Sequence, residues 1–367
     1  MNKSFDLAQA PLVAVWETTQ TCDPDYCLET GQPERDPLEL TTTEAEKMIR
    51  EVAELRPPVF VITGGSPLQR EDIYSLVRYA DSNGLHPTMV VNASPRLTRA
   101  VVKELKKSGL ARLGLVLDAS NEQAHDLING KGSFSRTLQA VQWSNEERLP
   151  LQIHTRVSRH NVGEIENIAA VLSTHRVLLW SVSFPVADPD LTSDDRLSAQ
   201  ETEETFARLY RLSQLVPFKV KTVEAPHYRR FVLQQHAKNR GESEGKAFVE
   251  NGIPGVLPIV ETRGTLYITN TGEIYAGACL PVSAGNIRTE KVTDIYRQSE
   301  LFKDIRDVSK LYGKCGRCNF KELCGGSRAR ALVLAGDMFT EDGSCVYEPP
   351  AVLRNRGEQT AGEELRS

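Results

Sequence analysis

No run of apolar residues in this sequence approaches the roughly 18 residues that a membrane span needs. Residues 1–19 are only weakly apolar and do not have the form of a signal peptide. Basic residues are not in excess, since 44 Lys and Arg stand against 49 Asp and Glu, which gives a net charge of −5. Nucleic-acid-binding proteins usually carry a basic face. We therefore expect no membrane and no nucleic acid as partners, and a cytoplasmic location.

The chain is long for a single core but not rich in cysteine. Its 367 residues exceed the roughly 150 residues that are typical of one domain, so we expect two domains. The sequence contains seven cysteines. Because no export signal is recognised, these residues indicate metal ligands or free thiols rather than a disulfide framework.

Four of the cysteines lie near the C-terminus: Cys315, Cys318, Cys324 and Cys345. Two residues separate the first pair, so both thiolates can point at one centre from a tight turn. The other two cysteines can complete a set of four soft ligands, which suits an iron–sulfur cluster or a tetrahedral zinc ion. We favour a metal site over buried thiols or a disulfide, because Cys-x-x-Cys followed closely by a third cysteine is a specific metal pattern.

Short β-rich segments alternate with amphipathic segments between residues 11 and 184. The predicted strands are Leu12–Trp16, Val59–Thr63, Met89–Asn92, Leu113–Asp118, Leu151–Val157 and Val177–Phe184. Apolar residues recur at helical spacing from residue 45 to residue 52, after a predicted capping box of Thr43 and Glu46. Six β–α units predict an α/β fold with a parallel sheet, either doubly wound or curled towards a barrel. In both arrangements the chemistry lies at the C-terminal ends of the strands.

Several motifs give the chain a family resemblance. They are Val15-Trp-Glu-Thr-Thr19 leading to Cys22, Thr63-Gly-Gly-Ser-Pro67, Leu115-Val-Leu-Asp118, Val157-Ser-Arg-His-Asn161 and the C-terminal cysteine segment. With these motifs the chain resembles the radical S-adenosylmethionine (radical SAM) enzymes that carry a C-terminal SPASM or twitch domain. The resemblance is closest to the subgroup of haem-type cofactor maturation and peptide-modifying enzymes.

The resemblance implies a fold and a domain organisation. The fold is an α/β partial (β/α)6 barrel followed by a SPASM/twitch-like iron–sulfur module. We expect the barrel at residues 8–200, a connecting segment at 201–257, the module at 258–349 and a tail at 350–367.

The primary cluster motif departs from the family pattern. The family holds a [4Fe–4S] cluster and SAM with Cys-x3-Cys-x2-Cys after the first strand. Counting from Cys22, the second position here is Tyr26 and the third is Glu29, while Cys27 is out of register. Cys22 and Cys27 alone make a poor cage for a soft cluster.

The loop that contacts SAM is altered as well. Gly64, Gly65 and Ser66 correspond to the family's Gly-Gly-Glu/Asp loop, in which a carboxylate binds the SAM ammonium group. Ser66 offers only a neutral acceptor, which makes a weaker hydrogen bond. The two glycines could present bare amides to an anion or could simply form a tight turn. We interpret this loop as a vestigial SAM site, so SAM itself is a doubtful cofactor.

The cysteines near the C-terminus, in contrast to those of the primary motif, form a complete set of ligands. Cys315, Cys318, Cys324 and Cys345 are similar to the SPASM ligands of one auxiliary [4Fe–4S] cluster, and zinc is the alternative metal. A second cluster set is incomplete, so Cys279 is interpreted as a buried thiol.

Two further groups of polar residues have open interpretations. His154 and Arg156 alternate onto one strand face, which could look into the barrel mouth or form a solvated polar pair. His227, Arg229 and Arg230 could clamp an anionic substrate or form a salt-bridge cluster.

Three functions follow from these residues. The first is a degenerate relative that keeps the auxiliary cluster, no longer cleaves SAM, and serves as a binding, electron-relay or partner subunit beside an active radical SAM paralogue. The second is an active radical SAM enzyme with an irregular primary cluster, which generates a 5′-deoxyadenosyl radical and acts on a tetrapyrrole or peptide substrate. The third is a zinc-stabilised scaffold. We favour the first, because ligand softness and spacing both disfavour the primary site.

Overall fold

A computed structural model of the protein describes residues 5–22, 34–186, 192–241 and 261–350. All six predicted strands are present and parallel, and the sheet also contains a seventh parallel strand, a C-terminal hairpin and a last strand paired with that hairpin. The strands are β1 (Val13–Glu17), β2 (Val59–Thr63), β3 (Pro87–Val91), β4 (Arg112–Val116), β5 (Leu151–Arg156), β6 (Leu179–Ser183), β7 (Lys219–Val223), β8 (Thr265–Ile268), β9 (Glu273–Tyr275) and β10 (Ser283–Asn286).

The strands form one sheet in the order β10-β9-β8-β1-β2-β3-β4-β5-β6-β7. Strands β1 to β7 are parallel neighbours, and β8 pairs with β1 in parallel, so the hairpin extends the barrel sheet. The sheet remains open, which confirms the partial α/β barrel and decides against a doubly wound order. The sheet continues past residues 200 and 257, and the domain boundaries placed there stay predictions.

Helices follow most of the strands. They are α1 (Thr42–Leu55), α2 (Ile73–Ser82), α3 (Arg99–Lys107), α4 (Glu122–Asn129), α5 (Ser133–Glu146), α6 (Ile165–Ser173), α7 (Ala199–Ser213), α8 (Tyr228–Arg240), α9 (Glu261–Gly264), α10 (Val292–Gln298), α11 (Glu300–Arg306), α12 (Gly313–Arg317) and α13 (Arg328–Ala335). In the described part of the chain, no helix is both long and apolar enough to span a membrane.

The first helix begins two residues earlier than the sequence predicted. The capping box is formed by Thr41 and Glu44, not by Thr43 and Glu46. The Thr41 amide donates to Glu44 Oε2 at 2.8 Å, and Arg288 Nε donates to Glu44 Oε1 at 2.7 Å. Thr41 and Glu44 have the same capping-box spacing in the sequence as Thr43 and Glu46, and the contact with Arg288 across 244 residues further holds Glu44 in place. The predicted apolar face of the helix is buried as expected.

Alternate residues of the strands face two different environments. Residues such as Ala14, Phe60 and Leu113 are fully buried against the helices. Their neighbours along each strand face the inner side of the curved sheet, and most of these are only half-buried. Successive side chains of a strand point to opposite faces of the sheet. The outer face is buried under the helices, so polar groups can lie on the inner face.

The turn after β2 is packed against the backbone that follows β1. Gly64 has a φ of +133°, and a Cβ added to it would lie 2.3 Å from the Thr19 carbonyl oxygen. A Cβ on Gly65 would lie 2.6 Å from the Thr21 carbonyl oxygen. The Gly65 amide donates to Thr19 O at 2.8 Å, and the Ser66 amide donates to Thr21 O at 2.7 Å. The two glycines therefore allow two loops of the barrel mouth to touch backbone to backbone.

Because the two loops pack closely at Gly65, adding a single methyl group at this residue should destabilise the protein. Gly65→Ala should lower the free energy of unfolding by about 2 kcal/mol, because the overpacked backbone cannot move aside cheaply. The measurement is urea denaturation followed by circular dichroism.

The matched control is Gly163→Ala, where an added Cβ meets nothing within 4 Å. It should change the free energy of unfolding by less than about 0.5 kcal/mol. Equal stability of the two variants would show that the loops do not press on each other at Gly65.

Candidate functional site

The C-terminal ends of the parallel strands carry the residues singled out in the sequence. Cys22 follows β1 and is buried, with 7% of its surface exposed. Gly64, Gly65 and Ser66 follow β2 at the same edge of the sheet. Cys27, together with Tyr26 and Glu29, lies outside the described residues. The structure therefore places Cys22 beside the Gly-Gly-Ser turn, but its sulfur is in a disulfide bond and is not the free thiolate that the predicted primary site requires.

The amides of the Gly-Gly-Ser turn have partners within the protein. Gly65 and Ser66 both donate to carbonyl oxygens of the β1 loop. These two amides are therefore not bare donors for an anion, and the tight-turn interpretation of the glycines accounts for them.

Sequence reasoning missed a buried arginine that supports this corner of the barrel. Arg70 is 3% exposed and donates from Nη1 to Thr18 O at 3.2 Å and to Leu40 O at 3.1 Å. Its Nη2 donates to Asp72 Oδ2 at 2.8 Å, and its guanidinium lies 5.4 Å from the Trp16 ring centroid. One side chain thus joins the end of β1 to the segments before α1 and α2. Only the Arg-x-Asp spacing could have suggested this in the sequence.

The polar residues of β5 occupy one face of the strand, as alternation predicted. Arg156 Nη2 lies 3.5 Å from Asp118 Oδ2, and the Arg156 amide donates to Asp118 Oδ1 at 2.7 Å. Asn161 donates to the carbonyl oxygens of Asp118 and Arg156, each at 2.8 Å. These bonds show that the Leu-Asp and Ser-Arg-His-Asn motifs hold the ends of β4 and β5 together.

The four C-terminal cysteines line a single cavity. Backbone amides point at three of their sulfur atoms. Phe320 N donates to Cys318 Sγ at 3.4 Å, Gly326 N to Cys324 Sγ at 3.3 Å, and Asp342 N to Cys315 Sγ at 3.4 Å. Amide donors around sulfur stabilise thiolate ligands and tune iron–sulfur clusters.

A glycine makes the close approach to the thiols possible. Gly326 has a φ of +70°, and a Cβ added to it would lie 3.1 Å from Cys315 Sγ. The same Cβ would lie 2.6 Å from Arg328 Nη2 and 2.9 Å from Asp342 Cβ. The space in front of the thiols is therefore kept open by the absence of a side chain at this position.

The electrostatic setting of the cavity suits bound thiolates. Burial raises the pKa of all four thiols, so they are protonated until a metal displaces the protons. Cations surround them: Arg230 and Lys314 line the cavity, and Arg328 Nη2 lies 3.8 Å from Cys315 Sγ. These positive charges can balance the negative charge that four thiolates bring.

Buried ionic contacts attach the cysteine segment to the barrel edge. Arg330 Nη2 donates to Phe184 O at 3.1 Å and to Glu224 O at 2.7 Å, where β6 and β7 have just ended. Its Nη1 lies 3.3 Å from Oδ2 of Asp342, which is fully buried. Burial opposes ionisation of Asp342, but Arg330 and the Ser327 amide hold its pKa well below the usual value.

His227 faces the same cavity from the start of α8. It is 1% exposed, and neither ring nitrogen has a hydrogen-bond partner among the described residues. Burial lowers the pKa of His227 to about 3, so the ring is neutral. Arg230 forms an ion pair with Glu203, with Nη1 2.7 Å from Oε1, and Arg229 donates to Leu323 O at 3.5 Å. This group therefore meets the cysteine segment, which neither interpretation of it had included.

Cys279 does not belong to the four-cysteine set. It packs half-buried against the main core and is not among the residues that line the thiol cavity. This location agrees with the interpretation of Cys279 as an apolar thiol.

A larger cavity of about 450 Å³ opens between the barrel edge and the cysteine segment. Its floor includes Val157 and Phe184, which follow β5 and β6, and its wall includes Arg330 and Ser344. Cavities of this size hold small molecules or short peptide segments.

Comparisons with known proteins agree with this geometry. The family described as the Radical SAM superfamily matches residues 22–174. The AdoMet-dependent heme synthase of Methanosarcina barkeri is 31% identical over 94% of this chain and 98% of its own length. The PqqA peptide cyclase of Bradyrhizobium diazoefficiens is 24% identical over 97% of this chain and 92% of its own.

The fold has a counterpart among solved structures. The crystal structure of Streptococcus suis SuiB superposes with a TM-score of 0.71 at 16% identity, covering 92% of this chain and 78% of that one. The near-complete coverage by the heme synthase and the matched family region together establish the relationship. The chain belongs to the radical SAM superfamily, beside relatives named for haem synthesis and for peptide cyclisation.

Proposed function

We propose that this protein holds one auxiliary [4Fe–4S] cluster on Cys315, Cys318, Cys324 and Cys345, and that it no longer cleaves SAM. It acts as a binding, electron-relay or partner subunit in the maturation of a cofactor or peptide. The observation that carries the proposal is the convergence of four thiols on one cavity, with Cys324 buried, the others half-buried, and amide donors at three of the sulfur atoms.

The spacing of the thiols favours a cluster. Cys315-x2-Cys318-x5-Cys324-x20-Cys345 is similar to the SPASM ligand pattern for one auxiliary [4Fe–4S] cluster. Zinc is the alternative, because it accepts the same four thiolates.

The residues around the cavity have separate tasks in this proposal. Gly326 keeps a side chain away from Cys315 Sγ, and the three amides and Arg328 stabilise thiolate charge. When bound, the cluster would supply one-electron transfer or a site for anchoring substrate. Arg330 fixes the cysteine segment beside the cavity of about 450 Å³, where a ligand would lie between the cluster and the barrel mouth.

Two sequence features support the loss of SAM cleavage. The primary motif has cysteine only at positions 22 and 27, and Ser66 stands where the family has a carboxylate. A SAM ammonium group would therefore meet a neutral hydroxyl at this position.

An active enzyme is the second candidate. It is favoured by the similarity to a heme synthase that depends on AdoMet, which extends over 94% of the chain. On this alternative the substrate would be a tetrapyrrole, or a peptide as for PqqA cyclase, and Cys22 and Cys27 would hold an irregular cluster.

The proposed auxiliary cluster should make the protein brown, and this colour should depend on the cysteine ligands. Cys318→Ala should remove most of the iron, sulfide and brown absorbance from the anaerobically reconstituted protein, because three thiolates hold a cluster poorly. Cys279→Ala is the matched control and should keep the iron, the sulfide and the brown absorbance. Metal analysis that finds one zinc and no iron in the wild type would instead support the scaffold.

Loss of the SAM site predicts that SAM neither binds nor reacts. Calorimetric titration of the reconstituted protein with SAM should give no saturable heat, and chromatography should detect no 5′-deoxyadenosine after reduction. A saturable isotherm with 5′-deoxyadenosine formation would reject the non-cleaving proposal and establish the active enzyme. The cluster assignment would survive that result, since it depends on Cys318 and not on SAM.

A further inference from the structure

A second polar cluster lies on the inner face of the barrel, away from the edge that carries the cysteines. It comprises Arg112, Gln152, His154, Ser181 and Lys221, from four adjacent strands. The register pairs His154 with Ser181 and Ser181 with Lys221, so these three side chains share one row of one face. Arg112 is the first residue of β4 and Gln152 the second of β5, so the cluster extends towards the N-terminal ends of the strands.

The side-chain amide of Gln152 fixes the hydrogen bonding of this cluster. Its Oε1 accepts from Arg112 Nη1 at 3.1 Å. Its Nε2 donates to His154 Nε2 at 2.9 Å and to Ser181 Oγ at 3.0 Å. Because the amide nitrogen can only donate, His154 Nε2 must be the accepting nitrogen and its proton must be on Nδ1.

Several hydrogen-bond donors of this cluster are not used within it. The Ser181 hydroxyl still has a proton to give, as does His154 Nδ1. Arg112 Nε is buried without a hydrogen-bond partner among the described residues. Arg112 and Lys221 are both half-buried, and no ion pair within the described ranges includes either of them.

The charges in the cluster repel one another. Burial and, to a smaller extent, the charge of Arg112 lower the pKa of Lys221 to about 8. Burial also lowers the pKa of His154 to about 3, with Lys221 and Arg112 acting in the same direction. Two cationic side chains and a neutral histidine therefore face one region that lacks a negative charge from the described part of the protein.

We propose that Arg112, Lys221, Ser181 and His154 form a binding site for an oxyanion, the carboxylate or phosphate group of a small ligand, on the inner face of the barrel. The anion supplies the missing negative charge and accepts the unused donors. A guanidinium and an ammonium group converging with two neutral donors are the usual partners of such groups. The site shares no residue with the thiol cavity, so it stands apart from the auxiliary cluster.

A purely structural role explains the cluster less well. Two half-buried cations on one sheet face without a carboxylate repel each other, and a hydrophobic pair of similar volume would avoid that repulsion. Lys219, two residues earlier on β7, is exposed and needs no such partner. The contrast between Lys219 and Lys221 is what a binding site would produce.

The test is calorimetric titration of the reconstituted full-length protein with sodium acetate and, separately, with inorganic phosphate at constant ionic strength. We expect saturable binding of acetate, of phosphate or of both. The anion that binds shows whether the site takes a carboxylate or a phosphate group. Lys221→Met and Arg112→Met should each weaken the binding by about tenfold or more, because a charged hydrogen bond is lost. Lys221→Arg keeps the charge and should retain most of the affinity.

Lys219→Met is the matched control, since it removes a lysine of the same strand from the exposed end. It should leave the affinity within about twofold of wild type, as expected for a screened surface charge. Absence of saturable binding of both anions to the wild-type protein would overturn the proposal without reference to any variant. Equal weakening by Lys219→Met and Lys221→Met would overturn it as well, because the binding would then be unspecific.

Discussion

The buried guanidinium of Arg330 connects the two parts of this protein on which function depends. It donates to the carbonyl oxygens of Phe184 and Glu224, the residues that follow β6 and β7, and it pairs with Asp342 inside the cysteine segment. Asp342 in turn presents its amide to Cys315 Sγ. The position of the thiols relative to the barrel mouth is therefore set by one charge pair that is sealed from water and costly to break.

This constraint explains why the cysteines lie at the functional edge of the sheet. In a parallel barrel the strand ends that carry chemistry all point the same way. Cys22 and the Gly-Gly-Ser turn occupy that edge beside β1 and β2, and Arg330 attaches the thiol cavity beside β6 and β7. The barrel mouth thus lies between the two candidate metal sites, and the cavity of about 450 Å³ opens next to the second.

Much of this could be predicted from the sequence where the signal is local. The six strands of the barrel and the apolar face of α1 follow from periodicity, and the family resemblance was confirmed by the match over residues 22–174. The predicted capping box was wrong by two residues, because the sequence offers the same spacing twice, as Thr41 with Glu44 and as Thr43 with Glu46. The role of Arg330, Asp342 and Arg70 could not be predicted, since their partners are distant in sequence or are backbone carbonyls.

The sequence alone determined the ligand chemistry of the four cysteines, because residue type and spacing decide which metals can bind. It also determined that β and α segments alternate, because hydrophobic period is a local property. Only the tertiary structure decided that the sheet stays an open barrel extended by β8, and that Gly65 packs on Thr21. It alone placed Lys221 beside Arg112 without a carboxylate. These features depend on contacts between strands that are far apart in the chain. The periodicity of one strand does not specify which other strand will lie beside it.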